Sequence, residues 1–245
     1  MDKSHSLLDS ILGAFVPVHP DGFKFVAAAA LATLILFALA PPLGWLGAAA
    51  TAYCAYFFRD PPRVTPGRAG LVVSGADGRI TAAGPAVPPR ELQLGSDPLT
   101  RVSVFLSIFD VHLVRAPIGG RIVTSVYTSG AFLNAELDKA SEENERHALV
   151  IEGPSGEKVG IVLIAGLIAR RIVTFVEEGR SLARGERIGL IRFGSRVDVY
   201  LPQGAVTLAE VGQTAIGGET VLAEIAPANE ARGPRSMLDS SAVEA

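Results

Sequence analysis

With 245 residues, 49% of them hydrophobic and only 19% charged, and a formal net charge of −3, the chain is apolar for a soluble protein. It also lacks the basic balance that a nucleic-acid surface calls for. A single cysteine, Cys54, excludes an internal disulfide framework or a Cys-rich zinc site and fits a reducing compartment. The four histidines, His5, His19, His112 and His147, include no pair at metal-ligand spacing, so no metal is expected.

Residues 1–24 form a mixed N-terminal segment without a clear cleavage site, unlike a signal peptide. Residues 25–58 then carry no charge, whereas one spanning helix needs only about 20 residues. Pro41-Pro42 and Gly44 interrupt the run near its middle. It reads as two short helices in a hairpin, or as one span followed by an interfacial segment; a buried hairpin in a soluble core is the bland alternative. Lys3 and Lys24 precede the run, Arg59, Arg63 and Arg68 follow it, and the break between has no charge. The positive-inside rule then places both ends on the cytoplasmic face of the cell membrane and favours the hairpin. Tyr53, Tyr56, Phe57 and Phe58 are expected at headgroup level.

Residues 59–70 read as a Pro/Gly/Arg linker. From 71 to 226 short β-branched runs alternate with Gly and Pro, which predicts a β-rich body. Residues 135–148, polar and charged, read as a short solvated helix or a loop. A repeat follows: Gly179, Gly185-Glu186 and Ile188 recur 33 residues on as Gly212, Gly218-Glu219 and Val221. Each copy predicts a tight turn, a loop and a strand, with glycine where φ is positive. A weaker pair, Gly75–Ile80 and Pro117–Ile122, accompanies it. The pattern resembles the hammerhead turns of lipoyl and biotinyl domains. The expected fold is therefore mainly β (α+β), a barrel-sandwich hybrid body behind an apolar helical membrane segment. Residues 227–245 read as a polar tail.

Five stretches point further: FFRDPPR (57–63), SGADG (74–78), FLSIFDVHLVRAPIGG (105–120), FLNAELDKASEENERH (132–147) and FGSRVDVYLP (193–202). In this order and spacing they resemble the short bacterial type of phosphatidylserine decarboxylase, a pyruvoyl-dependent family, over about residues 20–225. The resemblance implies a chain that cuts itself between Gly194 and Ser195. The Ser195 hydroxyl attacks the Gly194 carbonyl, and the resulting ester eliminates to leave a covalent pyruvoyl group at residue 195. A β chain (1–194) then stays associated with an α chain (195–245). The substrate amine condenses with the pyruvoyl ketone as an imine, carbon dioxide leaves, and phosphatidylserine becomes phosphatidylethanolamine.

An isolated Gly-Ser is an ordinary turn; the accompanying motifs are what make Ser195 chemical. A serine hydroxyl needs a base, and the resemblance supplies Asp77 and His112 beside Ser195. Two departures stand out. Gly75 replaces the family's proline, which is expected to loosen the turn. Arg115 stands where longer members carry a second histidine, so His112 is expected to serve both self-cleavage and decarboxylation. Arg115 cannot act as a base and is expected to bind a substrate phosphate or carboxylate. His147 is read as a loop residue without a catalytic part. Arg170 and Arg171 would meet the phosphate or merely solvate a strand edge. Partners are phosphatidylserine and membrane lipid, with a homo-oligomer left open. A pyruvoyl decarboxylase of a soluble amino acid and a non-catalytic membrane-tethered adaptor remain alternatives.

Overall fold

The computed structural model describes residues 16–130, 144–166, 171–192 and 195–225. Outside them lie most of the N-terminal segment, Phe132 and Leu133, Arg170, Gly194 and the 227–245 tail.

Two helices open the described chain, α1 (Pro20–Leu39) and α2 (Pro41–Phe57). His19 caps α1, its Nδ1 accepting from Asp21 N at 3.3 Å, and Pro20 occupies the first turn, where no backbone donor is needed. Ala40 is extended because the Pro41 ring bars the residue before it from helical backbone. The chain reverses there, and the hairpin forms. Thr33 and Thr51 hydroxyls meet across it at 2.9 Å, and its feet are tied by His19 N to Phe58 O and Asp60 N to Pro17 O. The outer faces are apolar and uncovered: Leu31, Leu34, Leu39, Trp45 and Leu46 are all at least 60% exposed. Among the described residues, then, the hairpin is not buried in the core of the body. At about 1.5 Å per residue α1 is about 30 Å long, and it is apolar enough to cross a bilayer.

The body is built of β1 (Leu71–Val73), β2 (Gly78–Ala86), β3 (Leu99–Leu106), β4 (Leu113–Arg115), β5 (Gly120–Thr128), β6 (Arg146–Glu152) and β7 (Lys158–Ala165). These are followed by β8 (Ile172–Thr174), β9 (Ser181–Leu182), β10 (Arg187–Ile191), β11 (Ser195–Tyr200), β12 (Val206–Thr207), β13 (Thr214–Ala215) and β14 (Val221–Glu224). Eight of them pair antiparallel in the order β13-β2-β3-β11-β7-β6-β5-β9; β1-β14-β12 and β4-β10-β8 make two small sheets. The main core lies on the face of β11 that carries Val197 and Val199, with Val104, Ile161, Leu163, Ile188 and Leu222.

The sequence repeat is a structural one. Gly179, Gly185, Gly212 and Gly218 all have φ between 79° and 93°, a region only glycine enters without strain. Gly179 N bonds Ile122 O and Ile122 N bonds Arg180 O; in the other copy Gly212 N bonds Ile80 O and Ile80 N bonds Gln213 O. The halves clasp each other reciprocally, Val73 N to Pro117 O and Arg115 N to Gly75 O.

Two expectations need correction. Phe57 and Phe58 are not exposed to headgroups. They are buried at the base of the hairpin against Val111, Leu113 and Leu190, because the hairpin docks directly on the body. His147 is not a loop residue. It lies in β6 opposite Leu163 and Tyr127, its Nε2 2.9 Å from Ser125 Oγ.

Candidate active site

Ser195 begins β11, held on one side by Leu106 of β3 and on the other by Ala165 of β7. It is fully buried, and among the described residues its Oγ has no hydrogen-bond partner. Such a buried hydroxyl forfeits its interaction with water without compensation, a cost that structural turn serines avoid. Beyond it Arg196 and Asp198 are buried as an ion pair, Nε to Oδ1 2.9 Å.

His112 reaches the same end of the sheet by two connections. From Leu106, the partner of Ser195, the chain turns through residues 107–110. Asp110 accepts from both Ser107 N (2.8 Å) and Ser107 Oγ (2.7 Å). The backbone carbonyl of His112 then accepts from Ile191 N, four residues before Ser195. The imidazole is fully buried, packed on the Phe57 ring with centroids 4.2 Å apart. Its Nδ1 lies 2.9 Å from Asp110 O. A carbonyl only accepts, so Nδ1 carries the proton and Nε2 is the free base; Nε2 is buried without a partner among the described residues. Burial lowers the histidine's pKa from its usual 6.5 to about 4, in spite of Asp110. At neutral pH the ring is an uncharged acceptor.

Asp77 lies in the turn between β1 and β2. That turn is closed by Ser74 Oγ to Ala76 O at 2.7 Å and packs over β11: a Cβ on Gly75 would lie 2.7 Å from Ile161 Cδ1 and 3.4 Å from Val197 Cγ1. Gly75 therefore permits close packing rather than loosening the turn. The Asp77 carboxylate is held by Arg63 at 2.6 Å and by Gly217 N at 3.2 Å. Burial pushes its pKa above the ordinary carboxylate value despite both. Among the described residues it makes no hydrogen bond to His112; the Asp110 carbonyl orients that ring.

Arg115 is buried with its guanidinium turned to the linker. It donates to Gly185 O (3.0 Å), Pro61 O (3.2 Å) and Asp60 Oδ1 (3.4 Å). Asp60 also takes Arg187 at 2.8 Å. The structure thus brings Ser195 and His112 to one end of the sheet and Asp77 to a neighbouring turn, and it puts Arg115, expected at a substrate phosphate or carboxylate, in a charge cluster that straps the linker down; this last contact is one that sequence reasoning did not foresee. Sequence reasoning also missed Asp110, Arg63 and the Phe57 packing. The Ser107–Asp110 spacing, a side chain reaching back to its own turn, was the one local signal available.

Comparison with known proteins supplies an independent line. The family model described as phosphatidylserine decarboxylase matches residues 50–223. A relative from Nitrobacter winogradskyi, "Phosphatidylserine decarboxylase proenzyme", is 58% identical over 215 residues, covering 88% of this chain and 87% of that protein.

Proposed function

The chain belongs to the phosphatidylserine decarboxylase family, a family of carboxy-lyases, and from that premise we propose that it is made as a proenzyme, cuts itself at 194/195 and converts phosphatidylserine to phosphatidylethanolamine and carbon dioxide. The observation that carries the assignment of Ser195 is its buried Oγ, without a hydrogen-bond partner among the described residues, at the head of a strand clamped on both sides. Residue 194 is a glycine, so no side chain obstructs attack on its carbonyl carbon.

His112 Nε2 takes the hydroxyl proton as Oγ bonds to that carbon, and the 194–195 C–N bond breaks to give an ester and a free amine. Removal of the Ser195 α-proton expels the Gly194 carboxylate. The dehydroalanine left at 195 tautomerises and exchanges its nitrogen for water oxygen, releasing ammonia. A pyruvoyl group formed in this way supplies an electron-accepting carbonyl for loss of the carboxylate. It would be held by the β3 and β7 pairings of residue 195. His112, kept neutral and dry under Phe57, then serves as the nearby group that carries a proton. Asp77 supports processing at one remove, through the turn that packs on Val197. Arg115 fixes the linker rather than the headgroup.

The hairpin inserts in the bilayer from its cytoplasmic face, which sets the body against the surface where its substrate resides. The paired glycine turns support reading the body as a barrel-sandwich hybrid, a reading that superposition on a lipoyl domain tests. The family match sets aside both the adaptor and the decarboxylase of a soluble amino acid.

Intact mass measurement is the test. Two chains, 1–194 with a free carboxyl end and 195–245 lighter by one ammonia, are expected, together with carbon dioxide release from phosphatidylserine. A single unbroken chain overturns the reading. His112→Ala is expected to remain uncut; normal cleavage without decarboxylation refutes its double role.

A further inference from the structure

Where α1 enters its apolar stretch, a cavity of about 370 Å³ is lined by Asp21 and Lys24 of α1, by Arg171, Ile172, Val173 and Thr174 along β8, and by Arg192 just after β10. This volume falls within the range of small-ligand sites. Its charge is unbalanced. Asp21 faces His19 at 3.5 Å, whereas Lys24, Arg171 and Arg192 form no ion pair among the described residues.

The two arginines are neighbours by register. Ile191 pairs with Ile172, and Arg192 N continues the ladder to Arg171 O at 3.3 Å. Like charges opposite each other on adjacent strands are unfavourable. Arg192 is fixed in place nevertheless. Its guanidinium lies over the Phe25 ring, 4.9 Å from the centroid, and among the described residues its buried Nε has no hydrogen-bond acceptor. Lys24 approaches the same ring from the helix, 5.3 Å from its centroid. Three cations thus converge on one opening, and one of them has a donor that nothing in the described protein satisfies.

Position identifies the anion. Lys24 is the last charge before the uncharged run, so the cavity opens at the level where lipid phosphates lie. Arg192 precedes Ser195 by three residues, a Cα separation of at most about 11 Å. In phosphatidylserine two carbons and one oxygen separate the amine from the phosphorus. The geometry points to Lys24, Arg171 and Arg192 as the subsite that receives the substrate's phosphodiester while its serine amine is presented at residue 195. The assignment rests on the proposed activity and adds to it the headgroup recognition that Arg115, committed to the linker, does not provide.

Arg192→Gln, Arg171→Gln and Lys24→Gln in the full chain, assayed on mixed micelles of phosphatidylserine, test it. All three are expected to self-cleave. Loss of a charge-assisted bond to phosphate is expected to raise KM about 10–100-fold for Arg192→Gln and less for the other two, with kcat changed little. An unchanged KM, or an uncut Arg192→Gln chain, overturns the assignment. A second readout needs no catalysis: binding of dihexanoyl-phosphatidylserine to the Ser195→Ala chain by calorimetry, with inorganic phosphate as the comparison. The lipid is expected to bind and Arg192→Gln to abolish it. Equal affinity for inorganic phosphate refutes a lipid subsite in favour of a free-anion site. If Ser195→Ala binds the lipid normally while the unmutated protein proves neither cut nor active, the proposed activity fails and the subsite stands.

Discussion

The imidazole of His112 yields a prediction in which pH alone is the perturbation. The ring is fully buried under Phe57, and its pKa falls from 6.5 to about 4. An ordinary histidine is only about 3% neutral at pH 5, whereas one titrating near 4 is about 90% neutral there. If Nε2 accepts the Ser195 proton, self-cleavage at pH 5 should run at about nine-tenths of its neutral rate and be halved only near pH 4. The same shift has a stability consequence of opposite convenience. The unfolded chain binds a proton near pH 6.5 and the folded one resists it, so stability is full above 6.5 and declines as pH falls towards 4. The total is about 3 kcal/mol. Cleavage and folding must therefore be followed together. Chain made by cell-free synthesis is shifted into buffers from pH 3.5 to 8, the 1–194 and 195–245 products are resolved by mass, and near-ultraviolet circular dichroism monitors the fold. A half-maximal rate near pH 6.5 in chain that is still folded refutes the assignment of this ring as the base.

Further outcomes follow from neighbouring contacts. Phe57→Ala should cost about 3–5 kcal/mol; Phe57→Leu should fold and, by admitting water to His112, move the acid limb of cleavage upward in the same assay. Gly75→Ala drives a Cβ to 2.7 Å from Ile161 Cδ1 and should cost about 1–3 kcal/mol in thermal unfolding. Ile161→Val, which removes that methyl, should recover part of the loss in the double variant. Asp77→Asn should slow cleavage at least tenfold by time-resolved mass measurement while thermal unfolding shows the fold retained; a wild-type rate removes Asp77 from processing. Leu34→Arg, on the exposed face of α1, should cost about 2.5–3.5 kcal/mol of insertion and reduce flotation with vesicles.

Much of this was legible in the residues because the deciding forces are local. The two prolines that open α2, an uncharged run and glycines at positive φ each act within a few residues, so the hairpin and the repeated turns could be read directly. Contacts between distant segments could not. The partner of Arg115 is Asp60, and that of Asp77 is Arg63. Neither pairing has a sequence period, and both arise only once the linker folds back across the body. Phe57 misled for a related reason: an aromatic residue at the end of an apolar run suits a headgroup belt or a docking surface equally well. His147 was misplaced because its charged neighbours masked a strand whose inner face is apolar.

The repeat explains why the site lies where it does. Turn glycines and reciprocal backbone bonds are kept in both halves because each half must make the same turn. The site residues are where the halves differ. Residue 77 is an aspartate, and its counterpart 42 residues on is Gly119; His112 and Arg115 correspond to Gly70 and Val73. A symmetric scaffold fixes the backbone at both ends, and departures from it carry the chemistry. Gly119 tests this asymmetry. A Cβ there would meet Arg184 N at 3.3 Å, the counterpart of the Gly217 N–H that holds Asp77. Gly119→Asp should therefore find a backbone donor, fold with a loss of no more than about 1–3 kcal/mol and leave the position of self-cleavage unchanged, because the strand opposite carries no serine. Global unfolding of Gly119→Asp would show that the halves are equivalent only in their turns.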